Sequence, residues 1–232
     1  MFKLIKQLYY SKLCGKRTNI KKVSEDYIYN LISRMTIREE VTSSEKSIRW
    51  HAYREAEKIS DENVYPILAK IIEENHKNKE TRSAAYTIIG YSLRKNFNKE
   101  ACELLISKLG EETDKNVVSG ILDRLACICI PEDIDMCLVI KCSQNDKWLI
   151  RHSAISALGS SATQANRDAL LFYINQEDEK KYKYEITYAN GALGQIGLKS
   201  DIPYLEKHIK SRKRDIRETA QYAIDRINER ED

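Results

Sequence analysis

The sequence is poor in residues that interrupt helices, and it lacks long apolar runs. Its 232 residues include eight glycines and three prolines, a composition that favours long helices over strands and tight turns. No apolar run exceeds six residues, as at 125–130, whereas a membrane span needs roughly 20. The first ten residues interleave lysines with apolar residues and lack the continuous apolar stretch of a secretory signal. We therefore expect a helical, cytoplasmic protein without a membrane span.

Motifs that carry catalysis are also missing. There is no glycine-rich phosphate loop, no His-Glu-x-x-His and no Gly-x-Ser-x-Gly. The four histidines are spread widely along the chain, at His51, His76, His152 and His208. We therefore predict a protein that is not an enzyme and that needs no cofactor or metal.

Six cysteines without an export signal are typical of free thiols rather than of a disulfide framework. Four of them crowd together at Cys127, Cys129, Cys137 and Cys142. Their spacing lacks the Cys-x-x-Cys knuckles of structural zinc sites. We interpret them as buried packing thiols, because cysteine also behaves as a small hydrophobic residue. A zinc site is the alternative.

The chain does contain a repeat with a period of about 31 to 36 residues. In each copy an arginine is followed by small or apolar residues three and seven positions later, as in Arg151, Ala154 and Leu158. Four copies begin with an arginine, at Arg49, Arg82, Arg151 and Arg217. Two copies keep only the apolar positions and begin at Val118 and Ile186. A fixed period of this length predicts an all-α fold, an α-solenoid of stacked helix pairs.

Each repeat is predicted to consist of an outer helix that carries this template, followed by an inner helix with paired aliphatic residues. The outer helices are expected near 45–59, 79–94, 114–129, 146–159, 181–197 and 214–229, and the inner helices near 62–75, 98–109, 132–142, 163–175 and 201–211. Residues 1–44 do not fit the period and are predicted to form capping helices near 2–13 and 24–40. Residues 45–232 would then form one continuous array of five to six pairs. Gly159 and Gly194 follow template residues, where a helix end tolerates positive φ.

The chain resembles the HEAT-repeat family, and within it the bacterial HEAT-like proteins related to phycobilin lyase repeats. Residues 146–159 carry the resemblance and residues 214–220 carry it more weakly, over a region of roughly 45–230. The resemblance is specific for fold and hardly at all for function. It implies that the template arginines bond between adjacent repeats. Val118 and Ile186 depart from the pattern, so we expect the third and fifth junctions to depend on packing alone.

The distribution of charge argues against a sheath for duplex DNA. The net charge is +4, but residues 1–22 contain seven lysines and arginines and no acids, so residues 23–232 sum to −3. Acids outnumber bases on the predicted inner helices, whereas DNA-binding surfaces concentrate lysine and arginine. Residues 145–151 faintly resemble a segment of the HEAT-like alkylpurine DNA glycosylases. The sequence shows no paired tryptophan and aspartate cluster of the kind that such an active site would need.

Two groups of residues are candidates for a binding surface. Alignment of the inner helices places one residue of each helix in a row: Lys70, Lys108, Lys141, Tyr173 and His208. Phe172 and Lys207 lie beside this row in the sequence. The alternative for the row is that cations near helix C-termini complement the helix dipole. Tyr182, Tyr184 and Tyr188 cluster beside lysines, which is typical of an interface, although a half-buried helix surface explains them as well.

We therefore predict a non-catalytic scaffold that binds a protein or peptide partner along the concave surface formed by the inner helices. The alternative is a nucleic-acid-binding HEAT-like protein, with or without base excision. A third hypothesis, from distant resemblance alone, is a helper in the modification of another protein.

Overall fold

The computed structural model describes residues 23–230, and every regular element in that range is a helix. The predicted all-α solenoid is confirmed. The predicted capping helix near 2–13 lies outside the described residues, and the division into a cap and an array stays a prediction. Twelve α-helices follow one another as α1 (Glu25–Thr36), α2 (Ile48–Ala56), α3 (Val64–Glu74), α4 (Lys79–Leu93), α5 (Lys99–Lys108), α6 (Lys115–Leu125), α7 (Cys137–Ser143), α8 (Trp148–Leu158), α9 (Gln164–Ile174), α10 (Lys183–Ile196), α11 (Ile202–Glu206) and α12 (Arg214–Asn228).

Short polar side chains fix where half of these helices begin. A serine, asparagine, aspartate or threonine at the N-cap accepts a hydrogen bond from a free backbone N–H of the first turn. This occurs at Ser24, Ser47, Asn78, Asn98, Asp114 and Thr163. The cap at Ser47 also explains why the expected helix 45–59 is divided into a 3-10 turn at Ser44–Lys46 and then α2.

Two of the predicted inner helices are shorter than expected. The helix expected at 132–142 begins only at Cys137, because the Asp135 carboxylate accepts from the Cys137 N–H at 2.8 Å and closes a turn there. The segment before it is held by a hydrogen bond from Ile130 N–H to the carbonyl of Ser160 at 2.8 Å. The helix expected at 201–211 is a 3-10 turn followed by the five-residue α11.

The helices pair in the opposite order to the one predicted. We call α2, α4, α6, α8, α10 and α12 the template helices, and the others the intervening helices. The template helices α4, α8, α10 and α12 pack mainly on the intervening helix that precedes them, not on the one that follows. The repeat is therefore an intervening helix followed by a template helix.

Successive template helices from α4 to α12 stack side by side on small residues. Ala85, Ala154 and Ala220 are fully buried at the same template position. A Cβ atom on Gly159 would lie 3.0 Å from the Cα of Ala192, and one on Gly194 would lie 3.0 Å from the Cα of Ala223. Glycine is thus required for close helix approach. The expected positive φ is wrong, because no described glycine has one.

The spacing of the two layers shows which side of the stack is concave. Template helices approach closely through glycine and alanine, whereas neighbouring intervening helices make few contacts and are bridged by long side chains such as Lys108 and Tyr173. In a curved stack of two layers, the more closely spaced layer lies on the inside of the curve. We therefore place the concave side on the template helices, and the expectation that they form the outer layer is wrong.

Large aliphatic side chains fill the space between the layers. Leu68, Leu105, Ile121 and Leu122 are among the largest side chains that are fully buried. Burial of each such side chain stabilises the fold by about 1.5–3 kcal/mol. Within the described range, no helix is both long and apolar enough to cross a membrane.

Arg82 joins neighbouring repeats, as the resemblance implies. Its Nε and Nη2 donate to the two oxygens of Glu112, ahead of the next template helix, at 2.6 and 2.8 Å. Its Nη1 donates to the carbonyl oxygens of Asn75 and His76 at 2.9 and 2.5 Å. One guanidinium therefore holds the preceding loop and the following repeat together.

Arg151 repeats this arrangement, and the outer two template arginines do not. Arg151 Nε donates to Glu185 Oε1 at 2.8 Å, and its Nη1 donates to the carbonyl of Asn145 at 2.7 Å. Arg217 donates to the carbonyl of Ser211 in its own repeat at 2.9 Å. The guanidinium of Arg49 lies 5.8 Å from the centre of the Tyr53 ring.

The junctions without a template arginine are not held by packing alone, so that expectation is wrong. Between α6 and α8, the buried hydroxyls of Ser119 and Ser153 are 2.9 Å apart and share a hydrogen bond. Between α10 and α12, Asn190 Nδ2 donates to the carbonyl of Ile216 at 3.3 Å. Polar bonds of another kind replace the arginine at both places.

Candidate binding surface

The row predicted on the intervening helices contains three side chains that are buried and engaged within the fold. Lys108 Nζ donates to Glu73 of the preceding repeat at 2.5 Å and to Glu111 at 2.7 Å. The Tyr173 hydroxyl donates to the carbonyl of Ser143, the last residue of α7, at 2.6 Å. These side chains connect one intervening helix to the one before it.

His208 is engaged in the same way, because its Nε2 lies 2.7 Å from the carbonyl oxygen of Ile174, the last residue of α9. A protonated Nε2 donates there, and Nδ1 then lies 3.6 Å from Glu179 Oε1. Equivalent positions on intervening helices therefore satisfy carbonyls or carboxylates at the end of the preceding helix. These contacts are hydrogen bonds and ion pairs between successive repeats. They differ from the alternative given by the sequence, in which a cation near a helix C-terminus complements the dipole of its own helix.

The other four residues of the predicted surface are exposed. Lys70 pairs with Glu25 at 2.7 Å, and Lys207 lies over the Tyr204 ring at 5.3 Å. Phe172 is 57% exposed, and Lys141 is also exposed. These four side chains form the part of the predicted surface that a partner could reach, and they lie on the convex side.

The template helices carry a cluster of exposed aromatic residues that the row does not include. We call Trp148, His152, Tyr184 and Tyr188 the aromatic cluster. Trp148, Tyr184 and Tyr188 are 62%, 59% and 42% exposed. The His152 ring lies between them, with centroid separations of 5.7, 5.8 and 5.1 Å respectively. Tyr182, the third tyrosine noted from the sequence, is half-buried.

The cluster is positioned by the stacking of α8 on α10. Trp148 and His152 are one turn apart on α8, and Tyr184 and Tyr188 are one turn apart on α10. Residues four apart lie on the same face of a helix. Because the two helices pack side by side, the two pairs form one surface.

A buried carboxylate supports the cluster from below. Glu185 Oε1 lies 3.2 Å from His152 Nε2 and accepts from Arg151 Nε at 2.8 Å. Burial opposes ionisation of Glu185, but its backbone hydrogen bond and the bonds from Arg151 and His152 outweigh burial and lower its pKa. The carboxylate is therefore ionised at neutral pH and holds the His152 ring in place.

The template helices also carry more positive charge than the intervening helices. Their α-helical spans contain 11 lysines and arginines against seven acids, a balance of +4, whereas the intervening helices contain six against eight, a balance of −2. The acid excess expected on the concave side therefore lies on the convex side. Arginines stack on aromatic rings of this layer, as Arg54 does on Trp50 and Arg124 on Tyr91.

The cysteine stretch is exposed rather than buried, so the interpretation as packing thiols is wrong for most of it. Cys127, Cys129 and Cys137 are exposed, and Cys142 is half-buried. Cys127 and Cys129 line a groove of about 620 Å³ along the C-terminal ends of the template helices. Among the described residues, no three His, Cys, Asp or Glu side chains are grouped so that they could hold a metal ion.

The tyrosines of the cluster are among the residues that the sequence marks as candidates, but Trp148 and His152 are not. The repeat alignment contained that signal, since Trp148 and Tyr184 begin successive template helices within one position of each other. The prediction that these helices lie on the outer face placed the candidate surface on the other layer instead.

Comparison with known proteins identifies no family. No family model matches the chain, and no curated protein sequence matches it. Among solved structures, the chain is similar to an engineered protein at 17% identity and a TM-score of 0.46, over 87% of this chain and 96% of that one. It is also similar to a designed armadillo repeat protein at 14% identity and a TM-score of 0.49, over 87% of this chain and 100% of that one. These scores carry no argument about function, and membership of the HEAT family stays a prediction.

Proposed function

We propose that the protein is a non-catalytic scaffold that binds a protein or peptide partner on the concave face formed by its template helices. The observation that carries the proposal is the aromatic cluster of Trp148, His152, Tyr184 and Tyr188. Exposed aromatic rings held in fixed positions are typical of the residues that dominate binding energy at protein interfaces. Tyrosine and tryptophan provide a large contact area and lose little conformational entropy on binding.

The rigidity of the cluster supports the proposal. Arg151 and Glu185 fix the His152 ring from below, and the three surrounding rings contact His152 rather than extending freely into solvent. A surface that is already ordered loses less entropy when a partner binds. The positive balance of the template layer favours a partner with acidic side chains.

The test is affinity capture from the native host with two matched variants. Tyr184→Ala with Tyr188→Ala removes two rings of the cluster, and Phe172→Ala with Tyr204→Ala removes two exposed rings from the convex layer. We expect one stoichiometric protein with the wild type and the convex variant. The cluster variant should bind that protein at least roughly 30-fold more weakly, the effect of losing an interface residue worth about 2 kcal/mol. Equal capture by both variants would contradict the proposal.

A second candidate is binding of single-stranded nucleic acid, which the combination of exposed rings and nearby exposed cations favours. Bases stack on aromatic side chains, and lysines neutralise the phosphates. Lys147, Lys180 and Lys181 are exposed beside the cluster. Capture should therefore be repeated after nuclease treatment. Captured material that disappears after nuclease treatment, and whose binding weakens steeply as the salt concentration rises, supports this candidate instead.

A further inference from the structure

The first template arginine, Arg49, lines a pocket at the start of the array. The pocket has a volume of about 250 Å³ and is bounded by the end of α1, by α2, and by the N-terminal ends of α4 and α6. It forms because α1, rather than α2, packs directly on α4. The first template helix is therefore set apart from the regular stack, and a gap is left beside Arg49.

Elsewhere in the fold, two arginines bind a carboxylate with two parallel hydrogen bonds. Arg82 binds Glu112 in this way. Arg34 binds Glu55 with donors at 2.8 and 3.0 Å. This fork geometry is the strongest and most specific form of arginine–carboxylate recognition.

Two of the residues that line the pocket are arginines without such a partner among the described residues. Arg38 and Arg49 both line it, and neither forms an ion pair within 4.0 Å in the described part of the chain. Two acids also line the pocket, but Asp114 is bound to Lys79 at 2.8 Å and also caps α6, while Glu80 is exposed at its edge.

A third acid lies nearby, because Glu39 accepts from the backbone N–H groups of Ile48 and Arg49 at 2.9 and 3.0 Å. Its oxygens are occupied at the start of α2, where the Ser47 hydroxyl also donates to it at 2.5 Å. Glu39 also interacts electrostatically with Arg49, and the Arg49 guanidinium lies over the Tyr53 ring, but neither Arg38 nor Arg49 forms the paired hydrogen bonds to a carboxylate that Arg82 forms. Ser83 and Tyr53 also line the pocket.

We propose that this pocket binds a carboxylate side chain of the partner polypeptide, between Arg38 and Arg49. The proposal rests on the proposed function, because it names the chemistry of one partner residue on the same concave scaffold. A carboxylate is favoured over a phosphate because the fold already places glutamates on two other template arginines, Arg82 and Arg151. The pocket and the aromatic cluster would then be two separate contacts for one extended acidic segment.

The experiment observes the arginine side chains directly by NMR. The probe is the peptide acetyl-Glu-Glu-Glu-amide, compared at equal ionic strength with acetyl-Gln-Gln-Gln-amide and with inorganic phosphate. The glutamate peptide should shift the Nε–H signals of Arg38 and Arg49 in a saturable way. The Nε–H signals of Arg82 and Arg151 should stay unchanged, because both groups are already bonded to carboxylates. Arg38→Gln with Arg49→Gln should weaken binding roughly tenfold or more.

The matched control is Arg94→Gln with Arg212→Gln, which removes the same charge from two exposed positions elsewhere. It should leave the titration unchanged. Equal weakening by both double variants, or equal shifts with the glutamine peptide, would overturn the proposal. Shifts with phosphate alone would assign the pocket to a different anion and would also overturn it.

The outcomes separate this proposal from the proposed function. If peptide binding depends on Arg49 but partner capture does not depend on Tyr184 and Tyr188, the pocket proposal is supported and the aromatic binding face is refuted. The reverse result would support the aromatic binding face and refute the pocket proposal. Melting curves of every variant show whether a loss of binding reflects a loss of folding.

Discussion

Removal of the Arg82 guanidinium should destabilise the protein far more than removal of an exposed cation on the same helix. In Arg82→Met, the Glu112 carboxylate keeps one hydrogen bond from the Tyr86 hydroxyl, at 2.8 Å, and loses both bonds from arginine. The carbonyls of Asn75 and His76 lose a donor as well. The side chains of Arg82 and Glu112 are only 13% and 6% exposed. A buried charge left without its partner costs about 3–5 kcal/mol.

Lys79→Met is the matched control. Lys79 also lies on α4 and reaches the start of α6, where it pairs with Asp114 at 2.8 Å. Half of its side chain is exposed, and pairs of that kind contribute about 0–1 kcal/mol. A second variant, Arg82→Met with Glu112→Leu, removes both charges and should recover much of the loss, since an apolar pair can replace a buried ion pair.

Urea unfolding followed by far-ultraviolet circular dichroism measures these differences. Because repeat arrays can unfold in parts, hydrogen exchange of α4 and α6 should accompany it. We expect a large shift of the midpoint for Arg82→Met and a small one for Lys79→Met. Equal shifts for the two single variants would show that the arginine does not hold the junction.

Three further predictions follow from the packing, charge and exposure of single residues. Gly159→Val should destabilise by about 1–3 kcal/mol in thermal unfolding because its side chain would force α8 and α10 apart, whereas Gly120→Ala, with nothing within 4 Å, should stabilise by about 0.5–1 kcal/mol. The pKa of Glu112 is lowered chiefly by the hydrogen bond from Arg82. The contribution of Glu112 to folding stability is therefore complete above the ordinary carboxyl pKa of about 4.3 and is lost as the pH falls below it through the lowered pKa. Acidification should lower the melting temperature less in Glu112→Gln than in the wild type. Mass spectrometry after brief alkylation should find Cys127 modified and Cys102 protected, since Cys102 is buried and burial raises its pKa to about 12.

The sequence allowed prediction of the fold class because repeat period and helical periodicity are properties of the chain itself. Buried template positions such as Ala154 and Leu158 follow directly from that pattern. The order of helices within a pair does not follow from that pattern, because either neighbour of a template helix can present an apolar face to it. Contact between helices, rather than periodicity, decides which one is the partner.

The candidate site was harder to predict because it depends on that same choice. A row of residues at equivalent positions suggested a surface, but Lys108, Tyr173 and His208 bond to the end of the preceding helix instead. Whether a polar side chain points to solvent or to a neighbouring repeat depends on the distance between helices. The pocket beside Arg49 comes from an irregular first repeat, which no repeat template would reveal.

Site-specific photocrosslinking in the native host shows whether the partner binds on the template helices. A photoreactive residue replaces Tyr184 on the concave face in one variant and Phe172 on the convex face in the other. Both positions are exposed to a similar degree, 59% and 57%, so accessibility alone does not distinguish them. We predict one discrete protein adduct from position 184 and none from position 172. An adduct from position 172 alone would place the partner on the convex face, and an adduct with nucleic acid from position 184 would show that the partner is not a protein.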